Sequence, residues 1–126
     1  KGSALIHYME GQSKDGSKGA SMRLGSYQCE LSRGSRTQQV YGHEVIEERH
    51  RHRLEVNNEF KDNLKNNGLV ISGVNKELDL VETIEISEHP FFIACQYHPE
   101  FKSKPHLPHP LFKEFVKISD EFGENK

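Results

Sequence analysis

Phe91-Phe92-Ile93-Ala94-Cys95-Gln96-Tyr97 is a nearly unbroken apolar run of strand length, and it stops abruptly at His98-Pro99-Glu100. Such a run predicts a strand covered on both faces, as in the central sheet of an α/β protein. In open α/β sheets, ligand and catalytic groups gather just beyond the carboxyl ends of the strands, which is where His98 and Glu100 fall. Pro99 drives the residue before it out of the helical region, so His98 should be extended. Extended residues two apart project to the same side, which would set Glu100 beside His98. A carboxylate placed there can accept the Nδ1 proton of the imidazole, fix its tautomer and leave Nε2 free to take a proton from a nucleophile. A His and a Glu in a polar turn after a core strand have the same spacing. Sequence distance does not separate the two, because triads are defined by geometry.

Working outward, the connection after Glu100 is rich in proline, at 105, 108 and 110, and Pro110 suits the first position of a helix. Leu111, Phe115, Ile118 and Phe122 then recur at helical spacing, with Phe112 and Val116 widening the stripe. Before the run, Leu69–Val74 and Leu80–Ile86 read as an antiparallel pair joined through Asn75 to Glu77. Asn57-Asn58 are candidate caps of a short helix in which Phe60 and Leu64 share a face, and Gly68 supplies its stop. One strand is expected over 44–56, where Arg49, Arg51 and Arg53 point one way while His50, His52, Leu54 and Val56 point the other. Another is expected over 22–31, with Gly25 marking a bulge or a close backbone approach. Residues 4–9 read as a short strand, and 10–21, rich in Gly, Ser and Lys, as a flexible loop.

The 126 residues match the size of one domain, or part of one. Hydrophobic residues are 33% and charged residues 29%, which predicts a modest core without disorder. With 17 Lys+Arg against 19 Asp+Glu the formal charge is -2, so the surface as a whole is not built for a polyanion. No stretch approaches the roughly 18 to 20 consecutive apolar residues of a membrane span, and the N-terminal segment lacks the apolar core of a secretory signal, so a soluble, cytoplasmic protein is the expectation. Cys29 and Cys95 are too few for a disulfide scaffold and fit a reducing compartment.

The string ACQYHPEF (94–101) resembles the closing motif of class I glutamine amidotransferase domains, in which a strand ends in the His-Pro-Glu that completes a Cys-His-Glu triad. ERHRHRLEVN (48–57), MRLG (22–25), LVE followed by IE (80–85), HPFF (89–92) and HPLFKEF (109–115) are similar, in order and spacing, to the CTP synthase family. The likeness runs from about Met22 to Phe122, and the Arg/His string is its most specific part. It implies a class I amidotransferase-like (flavodoxin-like) α/β sheet flanked by helices, of which residues 1–126 would be the C-terminal portion. It implies that His98 is the general base and acid, that Glu100 orients it, and that Arg53 helps hold the substrate glutamine. An Arg fork suits the α-carboxylate of that substrate. Members of the family hydrolyse glutamine through a Cys thioester and pass the ammonia to a synthetase domain, where UTP activated by ATP with Mg is aminated to CTP. GTP activates them, and the complete enzymes are homotetramers. No cofactor or metal is expected on the chain itself.

Neither cysteine has the context of the nucleophile. A thioester-forming Cys sits on a sharp strand-to-helix turn beside the donors of an oxyanion hole. Cys95 lies inside the apolar run and Cys29 within a strand, so both read as structural. In the family the nucleophile elbow precedes the MRLG motif, so it is expected outside this chain, and Ala20-Ser21 stands where the family usually has Gly-Thr. An amidotransferase-like interaction or regulatory module without catalysis is the alternative reading. Arg49, Arg51 and Arg53 could also be a nucleic-acid contact, but Glu47, Glu48 and Glu55 flank them and weaken it. His50 and His52 share a strand face, yet no Cys pair or carboxylate at ligand spacing completes a metal site. The prolines at 105–110 read as a loop that positions the last helix rather than as a ligand for a Pro-binding domain.

Overall fold

The computed structural model describes residues 3–9 and 22–125. The expected flexible loop at 10–21 lies outside the described residues. The elements in chain order are β1 (Ile6–Tyr8), β2 (Arg23–Leu31), α1 (Arg36–Tyr41), β3 (Val45–His52), β4 (Leu54–Val56), α2 (Lys61–Asn66), β5 (Val70–Asn75), β6 (Leu80–Glu85), β7 (Ile93–Cys95) and α3 (Pro110–Glu124). A five-stranded sheet has the order β3-β2-β5-β6-β7, and β1 pairs with β4 in a separate ribbon. Every pairing among the described strands is antiparallel.

Alternation builds the β2/β3 ladder. Arg23, Cys29 and Leu31 of β2 turn inward, as do Ile46, Glu48 and His50 of β3, while Arg49 and Arg51 face out. The strand expected over 44–56 is in fact two. A bend at Arg53 separates β3 from β4 and inverts the phase, so that Glu55 is buried and Leu54 is exposed, opposite to the expected facing. Period-2 reading cannot foresee this, because a single irregular residue exchanges every later inward and outward position.

Gly25 does not mark a bulge. The β2/β3 register runs unbroken through Gly25↔His50, and the residue instead takes a φ of 102°, which a side chain would resist. The irregular register lies at Gly73 in β5, where an added Cβ would come 2.5 Å from Thr83 Oγ1 and 2.7 Å from Cys29 Sγ. The β5/β6 hairpin closes as expected, although its turn extends to Asp79 before β6 begins at Leu80.

Asn57 caps a 3-10 turn at Asn58–Phe60, accepting from Glu59 N at 3.1 Å, and α2 follows directly. Helix α1 had no apolar periodicity to announce it. Its ends are set locally, by Ser35, which accepts from Gln38 N, and by Gly42 in the left-handed region. The Glu85 carboxylate then fixes it to β6, accepting from Arg36 N, Thr37 N and Thr37 Oγ1 at 2.8–3.0 Å.

The run Phe91–Tyr97 behaves differently from the doubly covered strand it predicts. Only Ile93–Cys95 is strand, half-buried, and it lies at the end of the sheet order with β6 as its partner. The apolar core is small: Cys29, Leu31, Ile46, Tyr97 and Leu111, with Val40, Tyr41, Ile93 and Cys95 packed against it. Of the stripe on α3, Leu111 is buried, whereas Phe112, Phe115, Val116 and Phe122 are exposed. The helix is seated by its first turn. His109 caps it, and Phe91 meets Phe115 with ring centroids 5.9 Å apart.

Candidate active site

His98 is extended, with φ -109° and ψ 91°, as the following proline requires. Its backbone N–H bonds to Arg49 O at 2.9 Å, which ties the end of the apolar run to β3. Glu100 is brought to it by a route other than continued extension. Pro99–Phe101 forms a 3-10 turn, and that turn swings the carboxylate back so that Glu100 Oε1 lies 2.6 Å from His98 Nδ1. The Phe101 ring stacks on the imidazole, with centroids 5.0 Å apart and planes 14° from parallel. The hydrogen bond to His98 holds the Glu100 carboxyl below the usual range, so it is an ionised acceptor and the proton belongs on Nδ1. The two side chains are 36% and 54% exposed. Nε2 is left to exchange a proton with whatever approaches from solvent.

Arg53 occupies the bend after β3 with its side chain exposed. Its carbonyl accepts from Met9 N at 3.1 Å, which joins the bend to the β1 segment. The structure shows no direct bond between Arg53 and the His98–Glu100 pair.

Both thiols are unsuited to attack. Burial pushes Cys29 and Cys95 up to about 12, so neither is a thiolate at neutral pH. Cys29 is fully buried, and Cys95 Sγ is turned toward Tyr97 O at 3.5 Å. The structural reading of both cysteines follows from these surroundings.

Sequence reasoning missed the charged groups beneath the surface. Arg23 of β2 is 1% exposed and bonds Glu55 Oε1 at 3.3 Å and Glu82 Oε1. Its guanidinium carbon also lies 4.4 Å from the centre of the Tyr27 ring. His50 Nδ1 is 2.8 Å from His52 Nε2, and His50 Nε2 is 3.7 Å from Glu82 Oε2. The two histidines are therefore engaged with each other. Among the described residues no group of three or more His, Cys, Asp and Glu side chains could hold a metal ion. A second buried group joins β3 to α3: His109 Nε2 donates to Glu48 Oε1 at 2.7 Å, Tyr41 Oη donates to the same oxygen at 3.1 Å, and Tyr97 Oη lies 2.9 Å from Tyr41 Oη. His109 Nδ1 accepts from Leu111 N at 3.1 Å, which settles its tautomer. The signal for both groups was visible as charged residues on inward strand phases, but pairing them needs the register.

Residues 4–118 match the family of class-I glutamine amidotransferases. The chain belongs to that family. It is 56% identical over 112 residues to a protein named CTP synthase from Geotalea uraniireducens, which covers 89% of this chain and 21% of the relative. It is 48% identical over 117 residues to one of the same name from Methanothermobacter thermautotrophicus, covering 93% and 22%. The chain thus spans about a fifth of the length of these curated relatives. Among solved structures, the CTPS glutaminase domain of Trypanosoma brucei with bound acivicin superposes with a TM-score of 0.83 at 32% identity, over 93% of this chain and 46% of that one. The class I amidotransferase fold, a curled sheet flanked by helices, is established by that match. No helix among the described residues is long and apolar enough to cross a membrane.

Proposed function

We propose that this chain supplies the proton-transfer half of a glutaminase site, and that the complete protein is a CTP synthase. The observation that carries the reading is the His98 Nδ1–Glu100 Oε1 contact of 2.6 Å at the exposed end of the apolar run. In this reading His98 Nε2 takes the proton of an attacking thiol, returns it to the departing ammonia, and then activates the water that cleaves the thioester. Glu100 holds the imidazole in the required tautomer and stabilises the imidazolium that forms in each step. Arg53 binds the α-carboxylate of glutamine. The nucleophile is a cysteine outside residues 1–126, because the thiols within them are buried and protonated. The ammonia passes to a synthetase domain of the same protein, where ATP and Mg activate UTP, with GTP as the activator. The ATP and UTP sites belong to that synthetase domain. A cytoplasmic homotetramer is the assembly expected of the complete protein.

His98→Ala in the complete protein tests the role. Glutamine-driven CTP formation should fall by about 10²- to 10⁴-fold, the usual worth of a general acid–base group, while the rate with added ammonia stays unchanged. An equal fall in both would refute the role of His98. A measurable glutaminase rate from the isolated 126-residue chain would refute the external nucleophile.

A further inference from the structure

The bend at Arg53 is flanked on both sides by side chains turned inward, His52 at 14% exposure and Glu55 at 1%. On its N-terminal side, His52 Nδ1 lies 3.1 Å from Leu54 O, a contact that spans Arg53 itself. A carbonyl can only accept, so His52 Nδ1 carries the proton. Burial keeps the imidazole neutral, so its Nε2 is an acceptor. His50 Nδ1, 2.8 Å away, must then be the donor. The hydrogen bonds thus run in one direction, from His50 through His52 to the backbone just past Arg53. At the other end, His50 Nε2 and Glu82 Oε2 face each other at 3.7 Å, both buried and without a hydrogen-bond partner. Two acceptors in that position require one proton between them. The Glu82 carboxyl, pushed up to about 7 mainly by burial, is a ready holder of it.

On the C-terminal side, Glu55 is bound to Arg23 at 3.3 Å, and Arg23 also binds Glu82. Glu55 Oε1 lies 3.5 Å from His52 Nδ1 as well. The residues before and after Arg53 therefore meet in one buried group built from β2, β3, β4 and β6. On either side of Arg53 an inward residue meets a partner from this group: His52 meets His50, and Glu55 meets Arg23.

We propose that His52 is a positioning residue for Arg53, its Nδ1–H bond to Leu54 O holding the bend that presents the guanidinium to the glutamine carboxylate. The proposal rests on the assignment of Arg53 given above and adds what aims it. In the complete protein, His52→Leu should raise KM for glutamine about tenfold or more, as expected for a misplaced binding group. The maximal rate with added ammonia should not change. His52→Asn, whose amide places a donor near the position of Nδ1, should recover most of the loss. If His52→Leu gives no soluble protein, His52→Gln replaces it with the same expectation, because its amide lies too far out along the side chain to reach Leu54 O.

The double variant separates the failures. Combined with Arg53→Ala, His52→Leu should add nothing to KM. If Arg53→Ala alone leaves KM unchanged, the assignment of Arg53 is wrong and the positioning role falls with it. If Arg53→Ala raises KM while His52→Leu does not, or if the two effects multiply, only the positioning role is overturned.

Discussion

Two of the histidine–glutamate pairs near β3, His98–Glu100 and His50–Glu82, differ in almost every physical respect. His98 and Glu100 are two residues apart in sequence, closed by a 3-10 turn and more than a third exposed. His50 and Glu82 come from different strands, are completely buried, and share their site with Arg23 and Glu55. Water stabilises every protonation state of the first pair, so its proton can move. In the second, each charge must be met by another side chain, so a proton that moves disturbs the whole group. The proposed proton transfer thus falls to the exposed pair, while the buried pair belongs to the charged group beneath the Arg53 bend.

Removing the central cation tests this contrast most severely. Arg23→Met should destabilise the folded protein by about 3–5 kcal/mol, because Glu55 loses its buried counter-charge and Glu82 its hydrogen-bond donor. Denaturant unfolding measures it, and a loss below about 1 kcal/mol would show that water already reaches the group. Glu48→Leu is next. It removes the acceptor shared by His109 and Tyr41, leaving the His109 N–H only the 3.3 Å contact with Tyr41 Oη, and should cost about 1–3 kcal/mol by the same measurement.

Acid sharpens the contrast further. His50 is lowered to about 3, chiefly by burial, so the fold loses stability as pH falls below the ordinary histidine value, since the unfolded chain takes up the proton first. Glu82, raised to about 7, acts in the opposite sense: its contribution is full below the ordinary carboxylate value of 4.5 and is lost as pH rises through about 7. Between pH 4.5 and 6.5 the two oppose each other, so the His50 contribution emerges below pH 4.5. Melting temperatures from pH 3 to 7 should show His50→Leu with a shallower decline at the acid end than the parent protein. An unchanged slope would remove His50 from the account. The smallest effect is expected at the exposed pair. His98→Ala should change stability by no more than about 0.5 kcal/mol, and a larger change would mean that the pair holds the fold as well as the proton.

How far the site was legible follows the same division. His98 and Glu100 could be read because proline dictates the backbone before it and the pair spans only three residues. Even there, a helical turn, not an extended strand, makes the contact. The motif that singles out Arg53 was legible, but the bend on which that residue sits was not, since one irregular residue leaves no mark on a period-2 pattern. Helix α1 escaped notice because its limits are a serine cap and a left-handed glycine, with Glu85 of β6 accepting at its first turn. The apolar stripe of α3 was read correctly as a helix, yet Phe112, Phe115, Val116 and Phe122 are exposed, because periodicity reports which residues share a face without saying what covers it.

Taken alone, the amino-acid order determined the local facts: which segments alternate, where Pro99 forces extension, and which motifs mark an amidotransferase. Those depend on neighbours a few residues apart. Only the tertiary structure decided which charges meet. Arg23, Glu55 and Glu82 are separated by up to 59 residues, and their energies depend on mutual distance and on exclusion of water, two quantities that exist only once the strands are paired.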